Sequence, residues 1–96
     1  MMKHIVCFKL LDSSLESKQE AKSVLMSMVG NVPCAKNIEV GIDFLGSQRS
    51  YDVILQVTLE GREFLDVYQN DPYHCEVVKK YMHAHTQQSV AVDYDL

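Results

Sequence analysis

The sequence has 96 residues, 47% of them hydrophobic and 23% charged, with a formal net charge of −4 at pH 7. One domain with a modest core fits that length, the apolar content excludes disorder, and the acidic balance excludes binding nucleic acid through its phosphates. No apolar run approaches the roughly 20 residues of a membrane helix and no charged-then-apolar leader opens the chain, so a cytoplasmic location is expected.

From Lys3 to Leu10, "KHIVCFKL" alternates and places His4, Val6, Phe8 and Leu10 on one face of a first strand. The period then changes. In "DSSLESKQEAKSVLMSMVG" the residues Ala21, Val24, Leu25, Met28 and Val29 share one side of a helix. Ser13 with Glu16 three residues on reads as a capping box, Gly30 as a C-terminal cap, and Pro33 as a stop. "KNIEVGI" predicts a second strand with Ile38, Val40 and Ile42 in step, and "DFLGSQRS" a polar turn. "YDVILQVTL" predicts a third, with Tyr51, Val53, Leu55, Val57 and Leu59 on one face.

After Gly61 the helical period returns in Phe64, Leu65 and Tyr68. Asp71 is placed to cap a second helical piece, and Pro72 suits its first position. His74, Val77, Val78, Tyr81 and Met82 follow at i, i+3, i+4, i+7 and i+8, an apolar stripe that begins with an imidazole. "SVAVDYDL" closes the chain as a strand with Val90, Val92 and Tyr94 aligned.

The order β-α-β-β-α-β is the split arrangement of an α+β, ferredoxin-like domain, a single domain over residues 1–96 with a four-stranded antiparallel sheet. Both helices on one sheet face leave the other uncovered. If the alternation runs without a bulge, that face carries Ile5, Cys7, Ile54 and Ala91 among polar residues. Such a half-apolar face predicts a homodimer formed through the sheet, against the alternative of a monomer with a solvated face.

The chemistry-bearing residues converge on the helix–sheet layer. His4 shares the apolar face of the first strand, His74 the stripe of the last helix and Tyr68 that of the preceding turn. Burying an imidazole or phenol without partners costs on the order of 1–3 kcal/mol, so each needs the others, backbone or a ligand. With Asp71 as cap, His74 is the third residue of its helix, where the dipole and burial both disfavour imidazolium. A neutral imidazole is what a general base requires. Tyr68 is placed to orient it or to donate to a developing oxyanion, and His4 to polarise a carbonyl or act as a second acid–base group. The constellation suits proton abstraction beside a carbonyl without metal or organic cofactor. The bland alternative is that these are satisfied core residues.

Other candidates carry less. His83 and His85 sit at a helix end that favours cations, with no carboxylate or thiolate nearby to complete a metal site. Cys7, Cys34 and Cys75 lack CxxC spacing, which argues against a disulfide framework or structural zinc. Cys75 points about 100° from His74 around the helix, so no Cys–His dyad is expected. Asp93 and Asp95 alternate outward on the last strand and are expected to be solvated.

"MKHIVCFKL", "VPCAKNIEVG", "YDVILQVTLE", "YQNDPYH" and "VAVDYDL" occur in the order seen in stress-responsive A/B barrel (Dabb) domains, and the chain resembles that family over nearly its whole length. The resemblance implies a ferredoxin-like protomer that dimerises through its sheet into an α+β barrel. More distantly the chain is similar to the plant olivetolic acid cyclase, a member that closes a linear polyketide by cofactor-free aldol chemistry. Its catalytic histidine lies in a Tyr-x-x-x-Pro-x-His segment, matched here by Tyr68, Pro72 and His74, and a histidine in its first strand matches His4. The resemblance thus implies His74 as base, Tyr68 as its hydrogen-bonding partner and His4 as a substrate-orienting group. The position before Pro72, often histidine in relatives, is Asp71. A non-catalytic stress-response protein and a cofactor-free oxygenase of the related dimeric barrels are the competing expectations.

Overall fold

Strict alternation builds β3 (Val53–Leu59): Val53, Leu55, Val57 and Leu59 are buried while the residues between them are half-exposed. In the computed structural model, which describes residues Met1–Leu96, β3 pairs antiparallel with both β2 (Asn37–Ile42) and β1 (Met2–Leu10). β4 (Thr86–Asp95) pairs antiparallel with the other side of β1. The sheet order β2-β3-β1-β4 confirms the ferredoxin-like α+β arrangement read from the sequence. Ala21, Leu25, Met28, Tyr68, Val78 and Met82 come down from the helical layer onto the inner residues of β1 and β3, forming one core. No helix is long and apolar enough to cross a membrane.

The helix α1 (Leu15–Met26) starts one residue later than the capping box implies. Ser14, not Ser13, is the cap: its hydroxyl accepts from the Ser17 amide at 3.2 Å, and Asp12 accepts from the Ser14 amide. Ser13 is drawn instead to Asp52, a buried carboxylate that also accepts from the Leu10 amide at 2.8 Å and lies 3.8 Å from the Lys18 ammonium. That network fixes where β1 ends and α1 begins. The helix ends at Met26, before Gly30. Gly30 serves a later turn at φ +83, and Val29, expected on the buried stripe, is exposed.

The last strand departs most from expectation. The pairing of β1 with β4 runs Leu10 with Thr86 but Lys9 with Gln88, so Gln87 is an extra residue at a bulge. One inserted residue turns every later side chain to the opposite face. Ser89, Ala91 and Asp93 therefore pair with Phe8, Val6 and His4 on the helix side, while Val90, Val92 and Tyr94 pair with Cys7, Ile5 and Lys3 on the open side. One expectation is corrected and one holds only in part: Ala91 is not on the uncovered face, and Asp93 stays exposed as expected but lies on the helix side, where it pairs with His4. The uncovered face carries Ile5, Cys7, Ile54, Val90, Val92 and Tyr94, more apolar than the sequence alternation implied.

Candidate functional site

A 3₁₀ turn (Arg62–Phe64) leads into α2 (Leu65–Gln69), which delivers Tyr68 to the core. Asp71 then caps the final helical stretch as expected, its Oδ1 accepting from the His74 amide at 3.0 Å. From His74–Lys79 the backbone is π-helical, and α3 (Lys80–His85) continues it. A wide turn of this kind recurs at functional sites. It also moves the buried stripe from i+3 to i+4: His74, Val78 and Met82 are buried, whereas Val77 is 41% exposed. The Gln69 carbonyl, at the end of α2, accepts from both the Lys79 ammonium and the Cys75 thiol at 3.2 Å and ties the π segment to α2.

The three residues singled out by the sequence meet. The Tyr68 ring stacks on His74, centroids 4.4 Å apart and planes 28° apart, and lies 5.5 Å from the His4 ring at a steeper tilt. All three line a cavity of about 220 Å³ between the sheet and the last helical stretch. Leu25, Leu55, Phe8, Val78 and Met82 supply apolar wall, and Lys79, His83, Thr86 and Ser89 add polar groups.

The hydroxyl of Tyr68 does not reach His74. It donates to Met28 Sδ at 3.7 Å, so stacking takes the place of the hydrogen bond expected between the two side chains. Burial, then the charges that Cys34, once ionised, and Asp71 carry, push this phenol well above its ordinary range. Tyr68 is a platform for the imidazole, and its proton is held firmly.

His74 is 7% exposed, and its Nδ1 is buried without a hydrogen-bond partner. Burial lowers its pKa from the ordinary histidine value, and the charges of Lys79 and, less strongly, His4 act the same way; the carbonyls of Tyr68 and Gln69 oppose them. The imidazole is therefore neutral at pH 7. His4, also buried, is paired: its Nδ1 lies 2.5 Å from Asp93 Oδ1. A carboxylate accepting from Nδ1–H leaves Nε2 as the atom free for proton transfer. Sequence reasoning missed Asp93 because the bulge that turns it toward His4 has no Gly or Pro signature: the residues around Gln87 read "HTQQS".

Thr86 was also missed. Its Oγ1 is the second buried side-chain atom without a partner, and Thr86 is among the residues that line the cavity. His83 was read only as a helix-end charge and in fact lines the cavity, whereas His85 turns away, donating from Nδ1 to the Tyr81 carbonyl at 2.8 Å and stacking on that ring. Cys34 lies in a separate groove with Asp71, Pro33 and Lys36. Burial and then the Asp71 charge push its thiol up, which disfavours thiolate chemistry there.

Solved structures share this architecture. A dimeric protein of unknown function with a ferredoxin-like fold from Bacteroides fragilis superimposes with a TM-score of 0.82 at 23% identity, covering 99% of this chain and 95% of that one. A protein from Arabidopsis thaliana gives 0.84 at 21% identity, covering 100% and 95%. A hydroxynitrile lyase from Passiflora edulis gives 0.80 at 15% identity, covering 99% and 92%. No curated protein matches the sequence. The family model described as "Stress responsive A/B Barrel Domain" (Dabb) matches residues 2–96.

Proposed function

The chain belongs to the stress-responsive A/B barrel domain family, and we propose that it is a cytoplasmic homodimer whose helix–sheet cavity binds a small carbonyl or aromatic, polyketide-like compound. The observation that carries this reading is the unpartnered Nδ1 of His74, buried at the wall of a cavity that His4 also lines. A buried polar atom left without a partner costs stability, and a ligand that fills the cavity can satisfy it.

In this reading the chemistry is cofactor-free acid–base catalysis of the cyclase or lyase kind. His74, neutral and stacked on Tyr68, accepts the proton from a carbon beside a carbonyl. The C–H electrons pass into the carbonyl, whose oxygen becomes an enolate. His4, held by Asp93, donates its Nε2 proton to that oxygen in this step; when the enol collapses His4 takes that proton back, and His74 releases its own to the product. Tyr68 positions the base through its ring. Binding without turnover is a second reading, favoured by the Tyr68 hydroxyl, which is spent on Met28 rather than aimed at a reacting oxygen. The homodimer is supported by the apolar residues on the uncovered sheet face and by the dimeric neighbours.

A panel of small aromatic and β-dicarbonyl compounds, followed by amide chemical-shift changes, tests the binding. The parent protein is expected to show shifts at residues around the cavity. His74→Ala is expected to keep the parent's circular dichroism and lose those shifts. Identical ligand responses in the two proteins contradict the assignment of the site. Proton exchange into a bound carbonyl compound, present in the parent and absent in His74→Ala, separates catalysis from binding alone.

A further inference from the structure

The charges around the cavity are one-sided. The chain as a whole is acidic, with thirteen Asp and Glu against nine Lys and Arg. Yet none of the fifteen residues lining the cavity is Asp or Glu, while Lys79 and three histidines are among them. Two carboxylates lie beside the site but outside its lining: Asp93, bound to His4 and facing a different groove with Met2, Arg62 and Leu65, and Asp71, whose Oδ1 is taken by the His74 amide.

Lys79, His83 and Thr86 stand at i, i+4 and i+7, a spacing that brings them to one side of the helical stretch and the start of β4. Lys79 is half-buried, and of its three ammonium hydrogens one is given to the Gln69 carbonyl. His83 is exposed at the outer end of the cavity wall, and an imidazole donates an N–H in either protonation state. Thr86 Oγ1 is buried and has no partner. A set of donors with no acceptor charge among them, beside an apolar wall, is selective for a ligand oxygen that carries negative charge. The volume bounds the rest of the ligand: a cavity of about 150 Å³ accommodates benzene, so about 220 Å³ holds one substituted ring or an apolar body of that size.

We infer that the ligand of this cavity is a small organic anion, its negative oxygen held by Lys79, His83 and the Thr86 hydroxyl and its apolar body packed on Val78, Met82 and Phe8. The inference rests on the proposed binding cavity and adds to it the charge of the ligand and three residues that hold it. Turned toward the base, such a ligand is anchored at one end and presents its other end to His74 and His4.

Benzoate and its neutral isostere benzamide test the charge directly, by amide chemical-shift titration at pH 7 of the parent, Lys79→Met, Thr86→Val and Thr86→Ser. Benzoate is expected to shift signals of the cavity residues and to bind at least fivefold tighter than benzamide. Lys79→Met is expected to abolish that preference by weakening benzoate far more than benzamide. Thr86→Val is expected to weaken benzoate severalfold, and Thr86→Ser, which keeps the hydroxyl, to restore it. Equal binding of benzoate and benzamide, or a preference that survives Lys79→Met, overturns the anion assignment and leaves the cavity as a binding site. Absence of any cavity response to either probe overturns both.

Discussion

His74 owes its neutrality to where the chain puts it, and that position has a consequence for stability. Burial and the Lys79 charge hold its pKa below the ordinary value, which is about 6.5. Above 6.5 both the folded and unfolded chains carry this residue neutral, and nothing is lost. Below it the unfolded chain takes up a proton that the folded protein refuses, so ν_U exceeds ν_N and stability rises with pH in that window. The contribution is therefore complete above the unfolded value and is lost as pH falls toward and through the folded one. Urea midpoints measured from pH 7.5 to 5 are expected to fall more steeply for the parent than for His74→Gln; parallel curves contradict it. That His74, His4 and Tyr68 meet at one cavity was legible because parity and helical period place all three in one layer. Asp93 was not legible, because its inward face depends on one extra residue in a polar stretch, Gln87, that no periodicity marks.

At the scale of elements, two irregularities shape the site: the bulge that opens β4 and the π turn that opens the last helical stretch. The bulge exchanges the faces of β4, bringing Ser89 and Ala91 to the cavity wall and Asp93 to His4, and sending Val90 and Val92 to the open side. The π turn separates Val77 from Val78, which regular helical spacing makes equivalent members of one stripe. Their substitution distinguishes the two geometries. Val77→Lys is expected to change stability by less than about 0.5 kcal/mol, as at other exposed positions. Val78→Ala removes two buried methyl groups and is expected to cost on the order of 1–2 kcal/mol by chemical denaturation. Similar losses for both contradict the π turn. The strands, the capping by Asp71 and the order of elements were legible because each depends on local spacing or on one side chain. The π turn was not, since "HCEVVKKYMH" satisfies a regular helical period equally well.

For the whole molecule, the sheet divides labour between its faces. The helix side holds the core and the cavity, and the open side holds Ile5, Cys7, Ile54, Val90 and Val92, the last 61% exposed. A dimer formed on the open side leaves both cavities accessible at the opposite surfaces. The site itself is a long-range product: His4 and Asp93 lie 89 residues apart in sequence, and the pair is joined only when the first and last strands meet. The central claim is that this closure brings two imidazoles, His4 from β1 and His74 from the π turn, into one cavity. The ring-proton resonances of all four histidines, followed through a pH titration in the parent and in His4→Gln, test it most directly. The account predicts that His74 titrates below about 6.5 and that its midpoint rises when the His4 charge is removed. A His74 that titrates at its ordinary value and ignores the substitution at His4 contradicts it.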